Sequence, residues 1–190
     1  IYLKDVDPAI DNCTIQENAA SGIYVVASGP RQVNGKIANC LVRGNDNHGI
    51  ELHASLLFST ACHPEIRNNE FSHNQNYGLY CDNQYCNPAV RANRFIGNGN
   101  KPLRISAMMY EAGYSLGVDN VFLGNGCQEI EIVSNGITIV DRVLWTNAGI
   151  PYHVCGDIIR FADPVPGKAI LTIDAGTTVK FDPGLELAFG

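Results

Sequence analysis

Ile66-Arg-Asn68-Asn-Glu-Phe71-Ser-His-Asn74-Gln-Asn-Tyr-Gly78-Leu-Tyr-Cys81 is the stretch whose reading decides the fold. It runs apolar residue, Asn, apolar residue, Asn, and then Gly followed by alternating apolar residues. The same phrase stands at Ile10-Asp-Asn12-Cys-Thr-Ile15, continuing through Asn18 to Gly22-Ile-Tyr-Val25. It stands again at Ile37-Ala-Asn39-Cys-Leu-Val42, continuing through Asn45 to Gly49-Ile-Glu-Leu52. Aligning the second Asn gives Asn18, Asn45, Asn74, Asn98 and Asn125, in steps of 27, 29, 24 and 27 residues. Three residues earlier stand Ile15, Val42, Phe71, Phe95 and Phe122. Six residues earlier stand Asn12, Asn39, Asn68, Ala92 and Asp119. Four residues later stand Gly22, Gly49, Gly78, Pro102 and Glu129.

Self-similarity at a period of about 20–50 residues signals a solenoid. Ile23-Tyr-Val25, Ile50-Glu-Leu52, Leu79-Tyr-Cys81, Leu103-Arg-Ile105 and Ile130-Glu-Ile132 alternate with period two, which is strand geometry with one buried face. The spacing therefore predicts an all-β fold, a right-handed parallel β-helix of about five coils over residues 1–133. Asn suits the turns because it tolerates left-handed backbone angles. Its amide both donates and accepts, so stacked Asn residues can form a ladder. Asn45-Asp-Asn-His48 is read as a solvated turn beside that ladder, since calcium prefers several converging carboxylates.

From Val133 the phrasing changes. Alternation persists in Leu171/Ile173, Val179/Phe181 and Leu185/Leu187, and Pro-Gly recurs at 166–167 and 183–184. Residues 134–190 are expected to be a shorter-coil β-helical continuation, with a β-sandwich-like cap as the alternative. The chain starts without Met and ends on a strand-like Leu-Ala-Phe-Gly, so a segment of a longer protein is expected, with end-to-end self-association or further coils at its ends.

Composition narrows the function classes. The net charge of −6 argues against a nucleic-acid partner, which would need clustered Lys and Arg. No apolar run is long enough for a membrane span. Seven cysteines cannot all pair within one chain, and their spacing does not suggest structural zinc. Cys13 and Cys40 share a register position and are expected to pack inward, as is Cys81. Cys62 and Cys86 each open a Cys-x-Pro-x-[Ile/Val]-Arg phrase, which places them one coil apart and predicts a Cys62–Cys86 disulfide. Such a bond fits a secreted or cell-surface location. Cys127 and Cys155 are a further possible pair.

The Ile-x-Asn-x-x-Ile-x-x-Asn-x-x-x-Gly-Ile-x-Leu pattern over residues 8–133 resembles the parallel β-helix repeat of the pectin-lyase-like superfamily. Residues 134–190 resemble repeats of large bacterial secreted and surface proteins. The first resemblance implies the β-helix fold and a groove on the outer face of one sheet. It carries over no catalytic residue, because neither the Asn-Thr-Asp, Gly-His-Gly and Asp-Asp set of polygalacturonases nor the Arg-x-Pro-x-x-Arg of pectate lyases is present.

Period-two geometry selects the outward residues of that sheet. One column is Tyr24, Glu51, Tyr80, Arg104 and Glu131. The next is Val26, His53, Asp82, Ser106 and Val133. Glu51, His53 and Asp82 are the candidate catalytic residues. Two carboxylates suit glycoside hydrolysis, and a histidine suits proton abstraction in a lyase. Tyr24, Tyr80, Arg104 and Glu131 are candidate substrate-binding residues, with Arg104 placed to hold a uronate carboxylate. The remaining histidines, His48, His63, His73 and His153, are expected in turns or loops. No metal site or cofactor is expected beyond an outside chance of calcium. Residues 107–116, with Tyr110 and Tyr114, form an insertion able to wall the groove.

Two functions are thus compatible with the sequence. One is a non-catalytic extracellular scaffold, adhesion or carbohydrate-contact module of a larger bacterial surface protein. The other is a polysaccharide lyase or glycoside hydrolase acting on an acidic polysaccharide. Convergence of Glu51, His53, Asp82 and Arg104 in a walled groove would favour the enzyme. Side chains each paired to a neighbour would favour the module.

Overall fold

A computed structural model describes residues 1–57, 61–109, 116–134, 136, 138–157, 159–162 and 168–189. Among them every regular element is a strand, and every strand pairing is parallel. The longest sheet has eight strands: β1 (Tyr2–Lys4), β4 (Ile23–Ala27), β7 (Ile50–Ala54), β10 (Leu79–Cys81), β13 (Leu103–Ser106), β15 (Ile130–Ser134), β18 (Tyr152–Gly156) and β21 (Val179–Phe181). A four-stranded sheet contains β2 (Ala9–Asp11), β5 (Lys36–Ala38), β8 (Glu65–Arg67) and β11 (Ala89–Arg91). A five-stranded sheet contains β3 (Thr14–Gln16), β6 (Leu41–Arg43), β9 (Glu70–Ser72), β12 (Arg94–Ile96) and β14 (Val121–Leu123). Each of the first four coils gives one strand to each sheet and the fifth gives β13 and β14, which makes the right-handed parallel β-solenoid expected from the repeats.

The core is built from columns. Ile23, Ile50, Leu79, Leu103, Ile130 and Tyr152 stack in register on the inner face of the long sheet, all fully buried. Ile15, Val42, Phe71, Phe95 and Phe122 stack opposite, with Phe71–Phe95 ring centroids 5.0 Å apart and Phe95–Phe122 5.5 Å apart. Full burial of one such side chain contributes about 1.5–3 kcal/mol. Period-two alternation thus becomes stacking energy repeated once per coil.

The Asn column is a hydrogen-bonded ladder. Asn18 donates to Asn45 at 2.7 Å, Asn45 to Asn74 at 2.8 Å, Asn74 to Asn98 at 2.9 Å and Asn98 to Asn125 at 2.9 Å. Asn125 then donates to Gln128 Oε1 at 2.8 Å, which ends the run. The backbone N–H of each Asn reaches the same neighbouring oxygen. The ladder therefore satisfies backbone and side chain together, as buried polar groups require.

Two corner columns hold left-handed backbones. Asn12, Asn39, Asn68 and Ala92 have φ of 54°, 54°, 56° and 51°. Glu17, Gly44, His73, Gly97 and Gly124 form the second, with φ between 54° and 64°. Gly49 is required for another reason: a Cβ there would lie 2.5 Å from the Gly78 carbonyl oxygen of the next coil.

The cysteine expectations divide. Cys81 is fully buried, as expected. Cys13 is exposed rather than packed inward, because its position belongs to a second polar column. Cys40 is buried, as expected; its N–H donates to Asn69 Oδ1 at 2.9 Å, and Asn69, Asn93 and Asn120 continue as a second ladder. The expected Cys62–Cys86 bond is not formed in this structure, in which both are free thiols. They do sit one coil apart, bridged in parallel. Both are fully buried, and the Cys86 thiol, in hydrogen-bond contact with the Cys62 thiol, also donates to Leu52 O and Asp82 Oδ1, each at 3.3 Å. Cys127 and Cys155 are also free.

Beyond β15 the long sheet continues unbroken into β18 and β21, with steps of 22 residues between Glu131 and His153 and 27 between His153 and Lys180. Among the described residues the other two sheets do not continue. They give way to β16 (Thr138–Ile139), β19 (Ile159–Phe161) and β22 (Leu187–Phe189) in one sheet and β17 (Arg142–Trp145) and β20 (Ile170–Ile173) in another. The change in phrasing near residue 134 marks this exchange of two faces while the third runs through.

A candidate carbohydrate-contact face

The outer face of the long sheet carries the register read from the sequence. Tyr24, Glu51, Tyr80, Arg104 and Glu131 are paired strand to strand. The column extends to Tyr2 on one side and to His153 and Lys180 on the other. His153 is therefore a strand residue of this face and not the loop residue expected; alternation in Tyr152-His-Val is the signal that marks it. In the neighbouring column Val26 pairs with His53 and Ser106 with Val133. Ser106 and Val133 are buried rather than outward, and the Ser106 hydroxyl donates to Gln84 O in the loop after β10.

His53 is the centre of the first cluster. Its Nε2 lies 2.8 Å from Glu51 Oε1 and its Nδ1 2.8 Å from Asp82 Oδ2. Both ring nitrogens face carboxylate oxygens, so both must donate, and the ring is an imidazolium. Hydrogen bonds from Asp82 and Glu51 push its pKa up to about 9 against the opposing effect of burial. The carboxylates are otherwise engaged. Glu51 Oε2 accepts from Ser21 Oγ at 2.5 Å and from Asn47 Nδ2 at 3.5 Å. Asp82 Oδ1 accepts from Ala54 N and from the Cys86 thiol, both at 3.3 Å. Burial pushes the Glu51 carboxyl up, but hydrogen bonds from His53 and Ser21 outweigh it and hold it below the ordinary carboxylate range.

A second cluster surrounds Glu131. Its Oε2 accepts from Tyr77 Oη at 2.9 Å and Lys101 Nζ at 3.0 Å, and its Oε1 pairs with Arg104 Nη1 at 3.3 Å. Lys101 Nζ also lies 3.0 Å from His153 Nδ1, and His153 Nε2 lies 2.8 Å from Asp182 Oδ1. Burial pushes the Glu131 carboxyl up, and its hydrogen bonds with Lys101 and Tyr77 bring it below the ordinary range. Arg104 thus belongs with Glu131 and not with Glu51, His53 and Asp82, although β10 alone separates the two clusters.

The aromatic rings run along the solenoid axis. Tyr2 and Tyr24 stack at 5.5 Å, and the Tyr24 ring lies 4.8 Å from His53. Tyr80 stacks on His48 at 4.4 Å with the planes 9° apart, and the Arg104 guanidinium sits 4.9 Å from the Tyr80 centroid. His48, expected in a solvated turn, is buried. Its Nδ1 accepts the Tyr77 N–H at 3.3 Å, and burial drives its pKa down to about 4. Its burial follows from Tyr77 and Tyr80 on the next coil, a contact that spacing alone does not reveal. Beside Glu51 a groove of about 590 Å³ is lined by Tyr2, Ser21, Tyr24 and Asn47. Tyr110 and Tyr114 lie outside the described residues; of the same insertion, Met109 is buried.

Among the described residues no group of three or more His, Cys, Asp and Glu side chains is arranged to hold a metal ion. No helix among them is long and apolar enough to cross a membrane.

With parallel coils and a decorated outer face in place, comparison adds the family. A family model described as a right handed beta helix region matches residues 1–152. The chain belongs to the right-handed β-helix family. The pectin-lyase-like likeness of its repeats fits that membership. No curated protein and no solved structure matches the chain. Right-handed β-helix architecture supports, in general terms, a carbohydrate-related or scaffold role.

Proposed function

We propose that this chain is a non-catalytic β-helical module of an extracellular surface protein, a scaffold whose long sheet contacts carbohydrate. The observation that carries this reading is His53 bonded at once to Glu51 and Asp82. An imidazolium cannot abstract a proton. Glu51, held ionised below its ordinary range, cannot protonate a leaving group near neutral pH. The same groups suit recognition, because fixed donors and acceptors bind hydroxyls without first being ordered. Tyr24 and Tyr80 add hydroxyls beside them. A polysaccharide is accordingly held by hydrogen bonds along the column, with Arg104 and Lys101 nearest any acidic substituent.

The test is binding and turnover on one panel of neutral and acidic polysaccharides, with and without calcium. Binding is expected without new reducing ends or unsaturated products. Tyr24→Phe/Tyr80→Phe should weaken binding about 5–150-fold with the fold intact, each of the two lost hydrogen bonds being worth about 0.5–1.5 kcal/mol. Absence of binding to every polymer by the folded protein would leave an inert scaffold.

The convergence of Glu51, His53 and Asp82 favours a second reading, a polysaccharide lyase or glycoside hydrolase in which His53 acts as the acid. Product formation that disappears in Glu51→Ala/Asp82→Ala would establish it.

A further inference from the structure

We propose that Cys13 and Cys40 are an oxidisable thiol pair, a modification site at which a disulfide staples the first coil to the second. The two residues hold equivalent positions. Asp11 pairs with Ala38 on one side of them and Thr14 with Leu41 on the other, and Leu41 N donates to Cys13 O at 2.9 Å. Neighbouring parallel strands lie about 4.8 Å apart, which falls within the Cα separation of about 4.4–6.8 Å that a disulfide spans. The thiols point the same way: Cys13 Sγ donates to Asp11 O at 3.2 Å and Cys40 Sγ to the equivalent Ala38 O at 2.9 Å. Cys40 Sγ also reaches back to Ile10 O of the first coil at 3.9 Å, so its sulfur sits toward the intercoil gap.

Their place in the fold gives the bond a purpose. In later coils this column is the ladder Asn69–Asn93–Asn120, whose amides tie coil to coil. Cysteine cannot continue such a ladder, so between coils one and two the amide link is missing and a covalent one fits the gap. Access at one member separates this pair from the other in-register pair. Cys13 is exposed and Cys40 buried, whereas Cys62 and Cys86 are both fully buried. The coil being fastened carries Ser21 and Tyr24 of the outer face.

The oxidant is a low-molecular-weight disulfide such as oxidised glutathione. The Cys13 thiolate attacks one of its sulfurs, forming a mixed disulfide and releasing one glutathione thiolate. The Cys40 thiol then loses its proton to water and attacks the Cys13 sulfur, releasing the second glutathione. Two protein thiols are oxidised and one glutathione disulfide is reduced to two thiols. Burial pushes the Cys40 thiol up from its ordinary range, so closure is the slower step.

The experiment equilibrates the whole chain in glutathione redox buffers, quenches by acid and alkylation, and maps peptides without reduction. A Cys13–Cys40 bridge should form before any other, and the unfolding midpoint should rise by about 5–10 °C. Cys40→Ser should stop the sequence at the Cys13–glutathione mixed disulfide. Cys13→Ser, a change at an exposed site, should abolish both species. Persistence of the mixed disulfide in the wild-type chain, a Cys13 bond to a second chain, or earlier closure of Cys62–Cys86 would overturn the proposal.

Discussion

His53 Nδ1 lies 2.8 Å from Asp82 Oδ2, while its Nε2 lies 2.8 Å from Glu51 of its own strand. One cation thereby bridges two acids on adjacent coils. Replacing it with Gln leaves Glu51 and Asp82 partly buried with no charge between them. We expect His53→Gln to destabilise the fold by about 2 kcal/mol, below the range for wholly buried pairs because water still reaches the group. Urea unfolding measures this. An unchanged midpoint would show that the cluster is solvated and energetically idle.

The two histidines of this face set a pH window. The folded pKa of His53 is raised to about 9, so its stabilisation is complete below the unfolded value of about 6.5 and is lost as pH rises toward 9. The folded pKa of His48 is lowered to about 4, so the unfolded chain binds the extra proton and stability falls as pH drops from about 6.5 to 4. Stability should therefore peak near neutral pH. His53→Gln should flatten the alkaline limb and His48→Gln the acid limb, both read from urea midpoints across pH. Identical limbs in wild type and variants would refute the assignment.

Asn74 is a mid-ladder rung and Asn18 is an end rung. Asn74 donates to Asn98 and to Val42 O, and accepts from Asn45 through both amide and backbone N–H. Asn74→Ala strands several buried partners and should cost about 3 kcal/mol or more. Asn18→Ala, at a half-buried position, should cost about 1 kcal/mol. Equal losses from paired thermal melts would mean that the ladder does not depend on burial.

Ala92 holds φ at 51°, in a column where its neighbours are Asn. A left-handed alanine costs about 1–2 kcal/mol relative to glycine. Ala92→Gly should therefore stabilise the protein by about 0.5–1 kcal/mol after glycine's greater entropy in the unfolded chain is subtracted. A destabilised variant would place another constraint at this corner.

Much of this architecture was legible because a solenoid turns sequence spacing directly into contacts. Aligning Asn18 with Asn45 predicted a hydrogen bond, and aligning Tyr24 with Glu51 predicted neighbours on one face. Misreadings arose where contacts depend on direction rather than register. Inward packing holds for Cys40, which is buried, and fails for Cys13, which is exposed; the polar identity of their column shows only in Asn69, Asn93 and Asn120. Arg104 was grouped with Glu51, two coils away, although Glu131 stands next to it. His48 and Tyr77 contribute from the turn entering the strand, outside the alternation that picks out a sheet face.

The Asn ladder has a direction: every amide donates toward the next coil, and Gln128 receives the last donation before passing its own to Phe122 O. A chain of donors with one terminator behaves like a sentence with a full stop. An extra 27-residue coil duplicated between Asn45 and Asn98 would read through without a mismatch, since each new rung would be both a donor and an acceptor. The same duplication placed after Gln128 would meet an amide already spent. Growth and shortening of this ladder are thus open in its middle and closed at Gln128, although the long sheet itself runs on past that corner.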